Sequence, residues 1–175
     1  MQPIFKYCPN CKSSHLDFSQ GIKIKCSDCH FEYYHNTAGA VAVIIQKGEE
    51  ILLTVRNKEP QKGFLDLAGG FIDPDETAEQ ACVRELKEEL SISVDESGLR
   101  YICSNPNTYL YKGILYNTID LFFLYRDDDL LIHNFDSMEL KGFVWKKLFD
   151  INLNEIAFES QKKVLSLLQK DLSSD

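Results

Sequence analysis

The sequence of 175 residues lacks any excess of basic residues, because 27 Asp and Glu stand against 19 Lys and Arg and the net charge is −8. This balance disfavours a protein that binds nucleic acid through overall positive charge. The sequence also lacks a run of about 18 apolar residues, which a membrane-spanning helix requires. Near its start it lacks the roughly 7 to 15 apolar residues of a secretory signal. We therefore expect a cytoplasmic protein without a membrane partner.

The acidic excess is confined to one stretch of the chain. Ten acids and two bases lie between Asp66 and Glu96, whereas the remaining residues hold 17 acids and 17 bases. Such a local excess predicts a cationic partner, most simply a metal ion. The acids at the edges of the stretch, Asp66, Asp95 and Glu96, are expected to be ordinary surface charges.

Four of the six cysteines form two CxxC pairs with fourteen residues between them: Cys8, Cys11, Cys26 and Cys29. This spacing is close to that of zinc sites, and four thiolates would leave no open position for water, so it predicts a structural Zn²⁺. Two disulfides are the alternative, but they would not persist in a reducing compartment. A thioredoxin-like redox pair would need only one CxxC. Residues 1–36 are predicted to form this metal-stabilised unit, and residues 37–175 a second domain.

One helix is predicted with a defined start. Thr77 followed by Gln80 is a capping-box pattern, and an apolar residue recurs every four positions from Ala78 to Leu90. A second, amphipathic helix is predicted over 155–170, with Phe158, Leu165 and Leu168 on one face. Strands are predicted over 39–46, 50–56, 91–94, 99–103, 117–126 and 141–148.

Three carboxylates project from one side of the first helix. Glu85 and Glu89 are one turn apart and Glu88 lies beside them. Like charges at this spacing cost a few tenths of a kcal/mol unless something neutralises them, and Mg²⁺ binds such carboxylates together with phosphate oxygens. A solvated acidic face is the alternative, but the apolar stripe next to Glu85 and Glu89 argues against it.

At this point the sequence resembles the Nudix hydrolases. Their signature spans one helix and the loop before it, and this chain supplies its polar and glycine positions in register: Gly70, Glu76, Arg84, Glu85, Glu88 and Glu89. Leu86 and Ile92 match its aliphatic positions. Ser91 departs from the signature, which has Gly there, at the point where the helix is expected to end.

The resemblance implies an α/β/α sandwich with a mixed β-sheet, preceded here by the small four-cysteine zinc ribbon. It implies that Glu85 and Glu89 are the principal Mg²⁺ or Mn²⁺ ligands, with Glu88 and the carbonyl of Gly70 as further ligands. Arg84 would orient the carboxylates and Glu76 would be its partner. The implied reaction is hydrolysis of the pyrophosphate bond in a nucleoside diphosphate linked to another moiety.

Many members of the family recruit a further catalytic carboxylate from outside the signature. Glu139, six residues before Trp145, is the candidate here, because an extra Glu similarly precedes a Trp in the NADH pyrophosphatase branch. Asp120 is the second candidate. An exposed surface Glu is the alternative for Glu139.

The NADH pyrophosphatase branch is also similar in carrying a zinc ribbon directly before its catalytic domain. This likeness implies a small-molecule nucleotide substrate such as ADP-ribose or NADH, whose base could stack on Tyr109 or Tyr111. Only the Ser, one Pro and one aromatic of that branch's substrate motif recur in residues 104–109. A nucleoside triphosphate hydrolase and a non-catalytic nucleotide-sensing module are the alternatives. The ribbon is expected to brace the catalytic domain or a homodimer.

Overall fold

The computed structural model describes residues 5–19 and 22–171. The first four residues of the predicted ribbon, its residues 20–21 and the last four residues of the predicted second domain lie outside the described residues. A three-stranded antiparallel sheet comes first, formed by β1 (Leu16–Ser19), β2 (Lys23–Cys26) and β3 (Glu32–Tyr34). One cysteine pair precedes β1 and the other begins at the end of β2, so the strands bring the two pairs together.

A six-stranded sheet follows, with β6-β5-β4-β8-β7 as neighbours and β9 pairing with β5. Only the β4 and β8 pair is parallel, so the sheet is mixed. The strands are β4 (Ala38–Lys47), β5 (Glu50–Arg56), β6 (Leu65–Asp66), β7 (Arg100–Tyr111), β8 (Ile114–Arg126) and β9 (Leu140–Lys147). The helices are α1 (Ala78–Leu90) and α2 (Glu159–Asp171).

Each face of this sheet is covered by one helix. On β4, Ala42 and Ile44 pack in the core cluster that contains Val164 and Leu165 of α2. Val41, Val43 and Ile45 pack instead in the cluster that contains Leu86 and Leu90 of α1. A strand buried on both faces needs apolar residues at every position, which explains the uninterrupted apolar run in β4. The arrangement confirms the predicted α/β/α sandwich with a mixed sheet.

The prediction of a strand over 91–94 is wrong. Ser91 adopts a left-handed conformation with φ of 55°, and its N–H donates to the carbonyls of Leu86 and Lys87 at the end of α1. Ile92 then packs into the core beside α1. The stretch that resembles a strand in the sequence is therefore the C-terminal cap of the helix and the irregular segment that follows it.

Other boundaries also differ from the prediction, including that of β8, which begins three residues earlier than predicted. The strand predicted over 99–103 continues to Tyr111, because its pairing with β8 extends to the hairpin turn between them. The last helix begins at Glu159, so Phe158 lies before it and not on its apolar face. Leu165 is fully buried and Leu168 packs against the core, as predicted. Among the described helices, none is long and apolar enough to cross a membrane.

Candidate active site

The helix α1 begins with the predicted capping box. The Thr77 side chain accepts from the Gln80 N–H at 3.1 Å, and the Gln80 side chain accepts from the Thr77 N–H at 3.0 Å. Two N–H groups that a helix start leaves unpaired are thereby satisfied. The cap fixes where α1 starts and therefore which residues face the preceding loop.

Two adjacent glycines let that loop pass close to both β4 and α1. Gly69 has a φ of 151°, and a Cβ there would come within 2.9 Å of the Ala42 Cα. A Cβ on Gly70 would come within 2.6 Å of the Glu85 carboxylate carbon. Only residues without a side chain fit. The Gly70 carbonyl accepts from the Val41 N–H at 2.8 Å, which leaves its second lone pair available.

Arg84 is held by two carboxylates and reaches a third. Its Nε and Nη2 donate to the two oxygens of Glu76, both at 2.9 Å, and its Nη1 donates to Glu85 at 2.8 Å and to Glu88 at 3.2 Å. The carbonyl of Phe71 also accepts from Nη2 at 2.9 Å. The Arg84 guanidinium lowers the pKa of Glu76. This bidentate geometry fixes the orientation of Arg84, and through it that of Glu85.

The carboxylates of Glu85 and Glu89 are desolvated. The Glu85 side chain is 13% exposed and the Glu89 residue 8% exposed, whereas the Glu88 side chain is 60% exposed. Burial is the main cause that raises the pKa of Glu85, and burial together with the charges of Asp66, Glu85 and Glu139 raises the pKa of Glu89 well above its usual value. Buried carboxylates that raise one another's pKa favour a bound cation, because it would neutralise their charges.

The donor set of this site suits a hard divalent cation. It consists of carboxylate oxygens and one backbone carbonyl, which are ligands of Mg²⁺ and Mn²⁺. Within the described part of the chain, the Glu89 carboxylate accepts one hydrogen bond, from the Gly69 N–H at 3.2 Å, so most of its acceptor capacity is unused there. Among the described residues, however, the three carboxylates do not form a group with ligand atoms within 4.8 Å of one another, and only the cysteines do.

A cavity of about 540 Å³ brings most of the predicted site residues together. Of the predicted catalytic and metal-ligating residues, it is lined by Gly70, Arg84, Glu85, Glu88, Glu89 and Glu139, and it also includes Asp120 and Tyr109. Glu76 is not in its lining and contacts the site through Arg84. Tyr111 does not line the cavity either: it is 44% exposed and packs against the Lys112 ammonium, 5.1 Å from its ring centre.

The two candidates for the further carboxylate occupy different environments. Glu139 is close enough for its charge to raise the pKa of Glu85 and Glu89, and its carboxylate pairs with Lys58 at 2.6 Å. Asp120 is 8% exposed and accepts from the side chains of Asn107, Thr118 and Ser160, at 2.9, 2.7 and 2.5 Å. Among the described residues, three donors thus hold the Asp120 carboxylate, whereas that of Glu139 pairs with the Lys58 ammonium.

The expectation that Asp66 is a surface charge is wrong. Asp66 is 7% exposed and pairs with the Arg56 guanidinium, and its other oxygen accepts from the Gln161 amide at 2.5 Å. Burial raises the pKa of Asp66, and its pairing with Arg56 opposes that shift. The Nη2 of Arg56 is buried and has no hydrogen-bond partner among the described residues. Because Asp66 and Arg56 both line the cavity, they extend the site beyond the predicted residues.

Aromatic rings form a second side of the cavity. Tyr109 contacts Phe71 at 5.6 Å and Phe158 at 5.8 Å between ring centres. The Arg56 guanidinium lies 4.9 Å from the centre of the Phe158 ring. These three rings, Phe71, Tyr109 and Phe158, are called the aromatic wall below. Such surfaces bind planar heterocycles, and the sequence predicted only Tyr109 of the three.

Backbone hydrogen bonds attach the loop that carries Glu139 to the rest of the site. The Asn57 N–H donates to the Glu139 carbonyl at 2.7 Å, and the Asn57 side chain donates to the Ser137 carbonyl at 2.9 Å. The Asp136 N–H donates to the Glu89 carbonyl at 2.9 Å. The segment 136–139 is thus joined both to the end of β5 and to α1.

The four N-terminal cysteines form a compact cluster. Their sulfur atoms all lie within 4.8 Å of one another, and two pairs, Cys8 with Cys29 and Cys11 with Cys26, are 3.6 Å apart. Four sulfurs at about 2.3 Å from a tetrahedral Zn²⁺ lie about 3.8 Å from each other. The spacing therefore fits a closed zinc shell, and the cluster is compatible with the predicted ribbon.

Comparison with known proteins identifies a family that matches most of this chain. Residues 34–168 match the NUDIX domain family. A segment of 101 residues is 35% identical to the NAD-capped RNA hydrolase NudC of Pectobacterium atrosepticum and covers 58% of this chain and 38% of that protein. The chain thus spans less than half the length of the curated relatives it matches.

Two solved structures are similar in fold. One is the bifunctional NMN adenylyltransferase/ADP ribose pyrophosphatase of Francisella tularensis, complexed with AMP and a manganese ion, with a TM-score of 0.61 and 25% identity over 78% of this chain and 42% of that chain. The other is the NUDIX domain of Shewanella oneidensis NrtR, complexed with ADP ribose, with a TM-score of 0.63, 19% identity and coverage of 79% and 90%. The second likeness shows the fold alone.

Proposed function

From the premise that this chain belongs to the NUDIX domain family, which matches more than half of its 175 residues, we propose that it hydrolyses the pyrophosphate bond of a nucleoside diphosphate linked to another moiety. ADP-ribose, NADH or a similar dinucleotide is the substrate class. The reaction depends on Mg²⁺ or Mn²⁺, and Zn²⁺ in the ribbon is structural.

One observation carries this proposal: two desolvated carboxylates and an aromatic wall share one cavity. Glu85 and Glu89 supply the negative charge that a cation would neutralise, and the backbone of Gly70 passes close to the Glu85 carboxylate. Tyr109 and the rings beside it supply a surface for a base. A substrate with a diphosphate next to a planar heterocycle would contact both sides of the cavity.

The residues of this chain have distinct roles in the proposed reaction. A divalent cation, when bound, offsets charge on the diphosphate and acidifies water. Glu85, Glu88, Glu89 and the Gly70 carbonyl would hold it, and Arg84, aligned by Glu76, would keep Glu85 in place. Water adds to phosphorus, the bridging P–O bond breaks, and the proton released by the water passes to a carboxylate. Glu139 is our candidate for that acceptor, since it shares the cavity with Glu85 and Glu89.

The N-terminal unit is proposed to be a zinc ribbon that spans residues 1–36, before a catalytic domain of residues 37–175. Its four thiolates would form a complete tetrahedral shell, which suits a structural ion. Thiolates of this kind persist in reducing surroundings, so a cytoplasmic location remains part of the proposal. The ring of His35, just after β3, lies 5.9 Å from that of Tyr116 on β8, which supports a ribbon that braces the catalytic domain.

A substrate screen tests the proposed function. ADP-ribose, NADH, dinucleoside polyphosphates, nucleoside triphosphates and an NAD-capped RNA would each be incubated with Mg²⁺ or Mn²⁺, and the products separated by chromatography. We expect ADP-ribose or NADH to yield two monophosphates and to be preferred by at least about tenfold in kcat/KM. Preferred release of pyrophosphate from triphosphates would favour a nucleoside triphosphate hydrolase. Binding of ADP-ribose without turnover on any substrate would favour a sensing module.

A further inference from the structure

A buried carboxylate, that of Asp120, lies on the polar side of the cavity next to Tyr109. It forms no ion pair with any described residue. Asp120 on β8 accepts from Thr118 and Ser160 hydroxyls and from the Asn107 amide nitrogen at 2.9 Å. A carboxylate only accepts hydrogen bonds, so the amide of Asn107 must turn its NH₂ toward Asp120. The carbonyl oxygen of Asn107 then points away from that carboxylate.

Asn107 lines the same cavity as the aromatic wall. Asn107 and Tyr109 are two residues apart on β7, which places their side chains on the same face of the sheet, and both line the cavity. No described residue donates a hydrogen bond to the Asn107 Oδ1. A planar ring on Tyr109 would thus have an oriented acceptor at its edge.

We propose that Asn107 is a specificity-determining residue whose Oδ1 accepts a hydrogen bond from an amino group on the heterocycle that stacks against the aromatic wall. This inference rests on the proposed function, because it names the base of the same substrate. Asp120 is the positioning residue: it fixes which way the Asn107 amide faces. An adenine amino group and a nicotinamide carboxamide both carry an NH₂ group that can donate this hydrogen bond. A ring carbonyl in the same place could not, because it is an acceptor like the Asn107 oxygen.

Paired ligands that differ in this group test the inference, and in the nicotinamide pair the analogue also carries an added negative charge, whose effect should persist in the Asn107 variant below. The first arm compares ADP-ribose with its hypoxanthine analogue, and the second compares NAD with nicotinic acid adenine dinucleotide. We expect the amino-bearing ligand to be preferred by about 10- to 100-fold in kcat/KM in at least one arm. The arm that shows the preference identifies the group that is read.

The Asn107→Ala variant should abolish that preference. Apart from that charge effect, its ratio of kcat/KM values should fall to within about twofold of one, mainly through slower turnover of the amino-bearing ligand at low concentration. Asn105→Ala is the matched control, since Asn105 lies on the same face of β7 and donates to the Ser160 carbonyl at 3.3 Å but does not line the cavity. The control should keep the wild-type ratio.

Equilibrium binding separates this inference from the proposed function. The affinities of AMP against IMP, and of nicotinamide mononucleotide against its nicotinic acid counterpart, can be measured by calorimetry without any turnover. If no substrate is hydrolysed yet Asn107→Ala still erases a binding preference, the function fails and the inference stands. The inference is overturned if the wild type shows no preference in either arm, or if folded Asn107→Ala, checked by its melting temperature, keeps it.

Discussion

The carboxylate of Glu89 accepts a hydrogen bond from the backbone N–H of Gly69 at 3.2 Å. The loop that Gly69 belongs to is also paired to β4, through the Val43 N–H, which donates to the Ala68 carbonyl at 2.9 Å. A strand, a loop and a helix therefore meet at one carboxylate that is nearly inaccessible to solvent.

Replacing Glu89 by Gln should reduce kcat by about 100-fold or more, because it removes a ligand of the proposed cation. The fold should persist, since the Gln carbonyl can still accept from Gly69. Turnover of the best substrate would be measured alongside the rise in melting temperature that Mn²⁺ produces, which should shrink. Glu96→Gln, a change at an exposed acid, should alter neither quantity. Near-wild-type turnover of Glu89→Gln would refute the ligand assignment.

Gly70→Ala should impair catalysis more than stability. The added Cβ would overlap the Glu85 carboxylate, which must then move away from its bond with Arg84. We expect at least about a tenfold loss of kcat/KM. The comparison is Gly39→Ala, whose Cβ would meet only the flexible end of Ile72 at 3.0 Å. Equal activity of the two variants would contradict the proposed role of the close approach.

Ser91→Gly should stabilise the protein. Ser91 ends α1 in a left-handed conformation that costs a residue with a Cβ more than it costs glycine. After the greater chain entropy of glycine is subtracted, we expect a gain of about 0.5 to 1 kcal/mol in the free energy of unfolding. Urea denaturation measures it, and Ser91→Ala should show no gain.

The buried Arg56 and Asp66 pair should show strong coupling. Arg56→Met leaves Asp66 buried without its cation and should cost about 3 to 5 kcal/mol of unfolding free energy. The double variant Arg56→Met with Asp66→Leu should recover a large part of that loss, because neither charge then remains buried. Urea denaturation of the single and double variants completes the cycle, and additive losses would show that the pair is not coupled.

Removing metal from the ribbon should make four further thiols reactive, in addition to the partly exposed Cys103. A strong chelator should release about one Zn²⁺ per chain and make Cys8, Cys11, Cys26 and Cys29 reactive. Cys82 should stay unreactive until the protein unfolds, because burial raises its pKa to about 12. Titration with a thiol reagent and a zinc indicator measures both. A Cys8→Ser variant that keeps its full zinc content and its stability would contradict the assignment of a zinc ribbon.

Local sequence patterns account for the parts of the fold and of the candidate site that could be predicted. The capping box of Thr77 and the helical period place Glu85 and Glu89 together, and the two CxxC turns depend on few distant contacts. Arg56 and Asp66 come together because β5 and β6 pair in the sheet. Gln161 of α2 then adds a hydrogen bond to Asp66. That relationship leaves no periodic trace in the sequence.

The aromatic wall could not be predicted for the same reason. Phe71 follows the glycine pair, Tyr109 lies on β7 and Phe158 precedes α2, so three distant segments supply one surface. The tendency of aromatic residues to be buried does not distinguish a core ring from a cavity ring. Of the three rings, the sequence predicts only Tyr109, through the family resemblance, and it places Phe158 on the apolar face of the second helix.

The attachment of segment 136–139 affects how the sequence of this protein can diverge. Asn57 and Glu89 hold the segment by main-chain hydrogen bonds, which do not depend on the identity of the side chains in the segment. Residues 127–135 connect β8 to this anchored point, and of these Leu130, Ile132 and Phe135 pack against the core. Substitutions at the exposed positions of that connection can therefore accumulate while Glu139 keeps its place in the cavity.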